Sequence, residues 1–435
     1  MATLSSGVWR NWSGRVECRP SNYAEPKSLQ ELQAIVRDAA AGGKKVRVVG
    51  SGHSFTDLVA TDDVLITLDG MQGLVEAKPA AGEATVWAGT KLHLLNPILD
   101  AQGLAMENLG DINVQSIAGA VSTGTHGTGM KFGNIATQVI GLTLVTASGE
   151  VLEVSETENR ALFKAAQVSL GTLGVIAKVR LRLVPSYKLD YWRKKSTFAE
   201  TLAKAEEWRD THRQFEFYCF PHAPEVQLKF LDQTDAPVNV NARKKWFADV
   251  FMENLMFGAM SMVCRAFPST CVPIARFCAG TVGYSHEINV GHKSLSTVRM
   301  VKFNEMEFAM PAENGLAAVK ELKEWIDRER IEVHFPIEFR YVKGDDICIS
   351  PHTGRDSAAI SVHQFKGMDY KKYFDGAEAI FRRHGGRPHW GKLHNLKAKD
   401  LKALYPKWDE FQRAREQLDP KGVFLTPYLK SLFVE

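Results

Sequence analysis

Two short glycine loops, each with a histidine, are the first places in this chain where chemistry is legible. One is Gly50-Ser51-Gly52-His53-Ser54, directly after the apolar run Val46-Arg47-Val48-Val49. The other lies in a glycine-rich stretch from Asn108 to Gly133 that carries Gly110, Gly119, Gly124, Thr125, His126 and Gly127. Gly50-x-Gly52 begins like a dinucleotide fingerprint, but Phe55 fills the third glycine position and no room follows for the helix that would face a pyrophosphate. Gly119 to Gly124 has phosphate-loop spacing, yet Thr125 stands where lysine is required. Taken together, the two loops expose enough backbone N–H to cradle one large anionic cofactor.

Farther along, Glu338 and Arg340 alternate with Ile337, Phe339 and Tyr341, so on a strand both charged side chains leave the same face. They are either a solvated ion pair on an open sheet or a pair aimed at a ligand. His363 shares a face with Ser361 and Phe365 and is either a site residue or a core or sheet-surface histidine. His363, His389 and His394 lack the helical or close-pair spacing of a zinc site, and no metal is expected.

These residues need elements to hold them. Ser28-Leu29-Gln30-Glu31 is a capping box opening a helix that runs to Gly42-Gly43, and the strand Val46–Val49 follows at once. Strands are expected near 64–68, 74–77 and 84–88, a helix near 92–100, a hairpin over 139–154, a helix near 160–168 and a strand over 175–184. That completes a first domain, residues 1–185, of ordinary size. From Tyr187 the pattern becomes strands at 215–220, 226–231, 302–309, 337–342 and 359–364 with a helix over 315–330. This predicts a second domain, residues 186–385, in which helices cover one face of an antiparallel sheet. Residues 386–435 are too few for a core of their own and are expected to return to the first domain. The fold class is therefore α+β, two domains.

Composition narrows the function. The chain has 435 residues, 45% hydrophobic and 24% charged, with Lys+Arg 54 against Asp+Glu 50. That rules out disorder, and a net charge of +4 is too dilute for a nucleic-acid-binding face. Six cysteines without a C-x-x-C pair read as reduced thiols. Cys264, Cys271 and Cys278 recur every seventh residue, but Pro268 and Pro273 interrupt the helix that would align them, so the spacing reads as coincidence. Met1 to Trp12 has no secretory apolar run, and the uncharged window Asn254 to Cys264 is far shorter than the ~20 residues that span a bilayer. A cytoplasmic protein is expected. Arg243-Lys244-Lys245 and the methionine-rich stretch behind it, residues 243–265 in all, suit either a membrane-surface element or, the preferred reading, a helix covering the second domain.

The runs Val46 to Phe55, Gly110-Asp111-Ile112-Asn113-x-Gln115-Ser116-Ile117-Ala118-Gly119-Ala120 and Gly124-Thr125-His126-Gly127-Thr128-Gly129 resemble the flavin-binding domain of vanillyl-alcohol-oxidase type flavoproteins. Glu305-Met306-Glu307-Phe308 and His389-Trp390-Gly391-Lys392 resemble the aldonolactone oxidoreductase branch, so the likeness runs across nearly the whole chain. It implies FAD, attached covalently through His53. Held around it would be Gly50, Ser51, Gly52, Ser54, Gly110, Asp111, Ser116, Gly119, Gly124, Thr125, His126, Gly127, Gly174, Val175, Ile176, His389 and Lys392. It implies catalytic roles for Glu338, Arg340, Lys392 and His363: Glu338 fixing a sugar hydroxyl, Arg340 and Lys392 stabilising negative charge. The implied reaction is hydride removal from a secondary alcohol of L-gulono- or L-galactono-1,4-lactone to give ascorbate or an analogue, with oxygen or an external acceptor taking the electrons. The rival on the same fold is an alditol or other sugar oxidase. That branch is expected to carry His-x-Thr where this chain has His363-Gln364-Phe365, which counts against alditols.

Overall fold

The computed structural model describes residues 3–434, without the side chains of Ala242 and Lys244. Met1 and Ala2 of the amino-terminal stretch and the Lys244 side chain of the basic cluster therefore lie outside the described residues. Ser28 Oγ accepts the Glu31 N–H to open the helix Leu29–Ala41, whose apolar stripe buries Leu32, Val36 and Ala39. The Glu31 carboxylate takes the N–H of Lys27. Behind this helix, Val46–Val49 and Asn22–Ala24 flank Val64–Thr67 in a parallel three-stranded sheet. An antiparallel five-stranded sheet follows, ordered 151–155, 139–145, 175–182, 83–87, 74–78.

A short helix sits inside the glycine-rich stretch where sequence alone showed none. Ser116 Oγ accepts the Gly119 N–H and caps Ile117–Thr123, and Gly124, at φ 71, closes it in the left-handed conformation. Gly124 is thus a helix terminator.

The second module is one antiparallel eight-stranded sheet, ordered Ser285–Val290, Lys188–Thr197, Glu225–Thr234, Gln214–Cys219, Ile337–Val342, Ser357–Phe365, Phe303–Pro311, Arg387–Pro388. All five strands read from sequence lie in it. Lys188–Thr197 and Ser285–Val290 escaped because charge masks them. Arg193 is neutralised by Glu253 at 2.6 Å, and Trp192 stacks on His286 with ring centroids 3.7 Å apart. One face packs Phe217 on Phe339 beneath Gly315–Glu329, where a side chain at Gly315 would meet Ala358 Cβ at 2.2 Å. Strand register places Glu216 opposite Arg340, Tyr218 opposite Glu338, Ser361 opposite both Glu338 and Glu307, and His363 opposite Glu305. All of these point from the other face, toward the first module.

The carboxy-terminal segment joins the two modules. After Arg387–Pro388 adds its edge strand, Phe55 N–H donates to Gly391 O, while His389 and Leu393 N–H donate to Glu307 O and Glu305 O. Arg47 makes the deeper tie. Its buried guanidinium donates to the carbonyls of Leu58, Leu170, Gly171 and Phe424, at 2.5 to 3.0 Å, and burial lowers its pKa to about 10. Replacing Arg47 with Met strips four buried carbonyls of their donor. We expect a loss of about 2–4 kcal/mol, read as a lower urea midpoint at unchanged m-value.

Candidate active site

The first module's loops and the polar face of the eight-stranded sheet enclose a cavity of about 660 Å³. On the loop side, Ser51 Oγ donates to Val114 O, and a side chain at Gly50 would meet Ser116 Oγ at 2.2 Å. The two glycine loops are therefore pressed together, which is why glycine is needed at Gly50. His53 stacks on Trp12 at 5.1 Å, and its buried Nε2 has no hydrogen-bond partner. Burial, with Lys392 nearby, lowers this imidazole to about 3, so it is neutral at pH 7.

On the sheet side, three carboxylates converge on Arg340. Its Nε donates to Glu216 at 2.9 Å, and its terminal nitrogen reaches Asp111 at 2.8 Å and Glu338. Lys229 donates to Glu216 at 2.7 Å and to Tyr218 Oη at 3.1 Å, Tyr218 donates to Glu338 Oε1 at 2.6 Å, and Arg299 reaches Asp111 at 3.3 Å. Burial raises Glu338 above the ordinary carboxyl value although Arg340 opposes it; for Asp111, Arg340 and Lys229 overcome burial and hold it below. Burial and the surrounding carboxylates keep Tyr218 far above its usual pKa, so it is a donor at any working pH.

A second cluster lies toward the strand Phe303–Pro311. Lys392 donates to Glu305, and its Nζ lies 5.2 Å from the Phe55 ring centroid; His363 is 3.5 Å from the same carboxylate. Burial alone would raise Glu305, but Lys392 and His363 bring it down to about 2. His126 Nε2 meets Glu307 at 2.7 Å, and Ser361 donates to the other oxygen of that carboxylate. His389 Nδ1 accepts the Gly391 N–H at 3.0 Å.

Most of the residues singled out from sequence line this cavity: Gly50 to Ser54, Gly110, Asp111, Ser116, Gly119, Thr125, His126, Gly174, Val175, Ile176, Glu305, Glu307, Glu338, Arg340, His363, His389 and Lys392. Gly124 and Gly127 do not. Gly127 is pressed against Leu109, whose carbonyl oxygen would lie 2.2 Å from a Cβ there. Asp111 faces Arg340 across the module boundary. Phe365 does not line the cavity, its ring lying 6.5 Å from that of His334, so the expected contact of its ring with the substrate is not formed. Sequence reasoning missed Glu216, Tyr218, Lys229 and Arg299. Glu216 and Tyr218 alternate with Phe217 as Glu338 and Arg340 alternate with Phe339, and that was the available signal. Of three-ligand groups among the described residues, none involves His363, His389 or His394; the groups are Asp111–Glu216–Glu338 and Cys264–Cys271–His334.

The remaining wall is a lid. Met252, Met256 and Met260 of the helical run Phe247–Ala266 line the cavity, while Phe251, Leu255, Val263 and Met262 (58%) are exposed on its outside. The run packs on the second module through Arg193 and Glu253, as the covering-helix reading expects, and it also walls the cavity. By length and composition the run is apolar enough to cross a membrane, which the sequence window missed by stopping at single charges.

Residues 179–432 match the family model described as D-arabinono-1,4-lactone oxidase, and residues 20–155 match the FAD binding domain model. The L-gulono-1,4-lactone dehydrogenase of Mycobacterium tuberculosis is 40% identical over 98% of this chain and 99% of its own length. The L-gulonolactone oxidase of Bos taurus is 35% identical over 98% of both. Among solved structures, cholesterol oxidase from B. sterolicum superposes with TM-score 0.84 at 17% identity, covering 99% of this chain and 97% of that one, a likeness of fold. That fold is the two-domain vanillyl-alcohol-oxidase type.

Burial makes a pH prediction. His352 is fully buried with neither ring nitrogen partnered, and it sits well below the ordinary histidine value; burial lowers His389 to about 4. Both folded-state pKa values lie below the unfolded ~6.5, so the unfolded chain binds protons first as pH falls. Their stabilisation is complete above about pH 6.5 and is lost toward pH 4, at up to about 1.4 kcal/mol per unit per histidine. His352→Leu leaves nothing unpaired, and urea unfolding between pH 7 and 4.5 should show its slope reduced by about one proton.

Proposed function

The chain belongs to the aldonolactone oxidoreductase family, and from that membership and the cavity chemistry we propose that it is an FAD-linked enzyme oxidising a secondary alcohol of a sugar 1,4-lactone. The substrate is L-gulono- or L-galactono-1,4-lactone, oxidised at carbon 2 to a keto-lactone that enolises to ascorbate or an analogue. One observation carries the reading: a buried, hydrogen-bonded set of Glu338, Arg340 and Tyr218 lines the same cavity as the glycine loops.

The residues present fit FAD. The cavity lies in the upper half of the ~300–1,000 Å³ range of ligand sites, Gly50 has no room for a side chain, and His53 Nε2 is buried without a partner. Bound FAD supplies the hydride acceptor. His53, neutral and unpartnered, is the residue we assign to covalent attachment. Lys392, held by Glu305 and not free in solvent, is the cation available to stabilise negative charge on a reduced cofactor. Both named bonds to Glu338 end on Oε1, so Oε2 is the oxygen left to accept the substrate hydroxyl proton, and the raised pKa of this carboxyl suits it to that task. Arg340 supplies positive charge beside the forming carbonyl, and His363 lies against the same wall. Electrons leave to oxygen or to an external acceptor. Six free thiols support a cytoplasmic location, and the exposed apolar outer face of the lid supports its contact with a membrane surface.

Two experiments test this. After acid precipitation, flavin should stay with the wild-type pellet and leave it in His53→Ala; acid-stable flavin in that variant would remove the assignment. In steady state, kcat/KM for a 1,4-lactone should exceed that for xylitol or sorbitol by at least about tenfold, because the ring loses less rotamer freedom on binding. Equal or better turnover of the alditol would establish the polyol reading in its place.

A further inference from the structure

The lid is anchored by a side-chain cluster that lactone oxidation does not use. Helix Phe257–Ala266 stops at the turn Pro268–Thr270 and resumes as Cys271–Gly280. The seven-residue spacing that Pro268 breaks along a single helix is folded back by this turn, so Cys264 comes to lie beside Cys271. Cys278 sits apart, packed with Phe220 and Ala279. His334, four residues before Glu338 on the same run of chain, completes the group. Its Nδ1 is 3.9 Å from Cys271 Sγ, and both sulfurs and the ring nitrogen lie within 4.8 Å of one another. All three residues are fully buried.

The neighbours fix the tautomer. Ser261 Oγ spends its proton on Phe257 O at 2.8 Å, so toward His334 Nε2, also at 2.8 Å, it accepts. Nε2 therefore carries the hydrogen, and Nδ1 presents its lone pair to the two thiols. An outer hydrogen bond that orients an imidazole in this way is the usual support of a metal-ligating histidine. Metal–sulfur and metal–nitrogen bonds of about 2.3 and 2.0–2.1 Å place sulfur and nitrogen about 3.5–3.8 Å apart, so the 3.9 Å between Cys271 and His334 closes by a few tenths of an ångström on binding. Phe257 and Phe335 pack on the imidazole at 5.4 and 4.9 Å, closing the site against water.

We propose that Cys264, Cys271 and His334 bind one thiophilic d10 cation, zinc(II) or copper(I), which staples the lid to the strand bearing Glu338 and Arg340. Binding replaces the two thiol protons, which leave to solvent, with two metal–sulfur bonds and one metal–nitrogen bond, without change of oxidation state. The sulfur-rich set selects against calcium, magnesium and manganese.

The test is elemental analysis of the intact flavin-loaded protein expressed with zinc or with copper supplement. About one metal per chain is expected, with X-ray absorption showing two sulfurs and a nitrogen in the first shell. Competition between the two supplements decides which ion is retained. Cys264→Ser and His334→Gln should lose the metal, and Cys278→Ser should keep it. The wild-type measurement stands even where a variant fails to fold. Metal far below one per chain under both supplements, a first shell without sulfur, full retention by folded Cys264→Ser, or a Cys264–Cys271 disulfide in the native protein would each overturn the proposal.

Discussion

Arg340 is the counter-ion on which the arrangement of the site depends. Asp111, Glu216 and Glu338 are drawn to one buried guanidinium, and Lys229 and Arg299 bring the cations to three against three carboxylates. Desolvating so many charges is costly, and removing one member would leave the others uncompensated, so the network demands a single geometry. Asp111 comes from the glycine-rich stretch of the first module, and its partners come from the sheet of the second. The same ion pairs that neutralise the sheet therefore hold it against the cofactor loops.

A second tie runs in parallel. His126 on the glycine stretch meets Glu307, and residues 389–393 bond to Phe55 on one side and to the Glu305 and Glu307 backbone on the other. Lys392 thus arrives at the cavity on a segment fixed at both faces, with Glu305 positioning its ammonium. Charges placed in advance of the reaction need little reorganisation as charge develops, and a low-dielectric seam makes each worth more than it would be in water. Stability and catalysis draw on the same contacts.

What the sequence revealed follows from the range over which each signal acts. Gly50 to Ser54 and the alternation of Glu338 with Phe339 and Arg340 are local, and both were readable. Glu216, Tyr218 and Lys229 show the same alternation, but their importance lies in cross-strand register with Arg340, which no single segment encodes. The resemblance places Gly127 at the cofactor, whereas its missing side chain makes room for Leu109; sequence shows that backbone is close to something without showing to what. Phe365 shares the parity of His363, but parity cannot say that the strand has left the cavity by then. Cys264 and Cys271 looked unrelated because Pro268 forbids a continuous helix, while the turn it starts is what pairs them. The covering helix is legible over 243–265, but the full length of its apolar run, Phe247–Ala266, is hidden by the single charges that interrupt it.

The most direct test of the charge network is the anaerobic rate at which L-gulono-1,4-lactone bleaches the bound flavin in wild type and in Arg340→Lys. Lysine keeps the charge but loses the fork that spans Asp111, Glu216 and Glu338. Bleaching slowed by at least about tenfold at unchanged flavin content is the expected result, part of the roughly 3 kcal/mol that one preorganised stabiliser supplies. A rate within about twofold of wild type would contradict the role assigned here to Arg340.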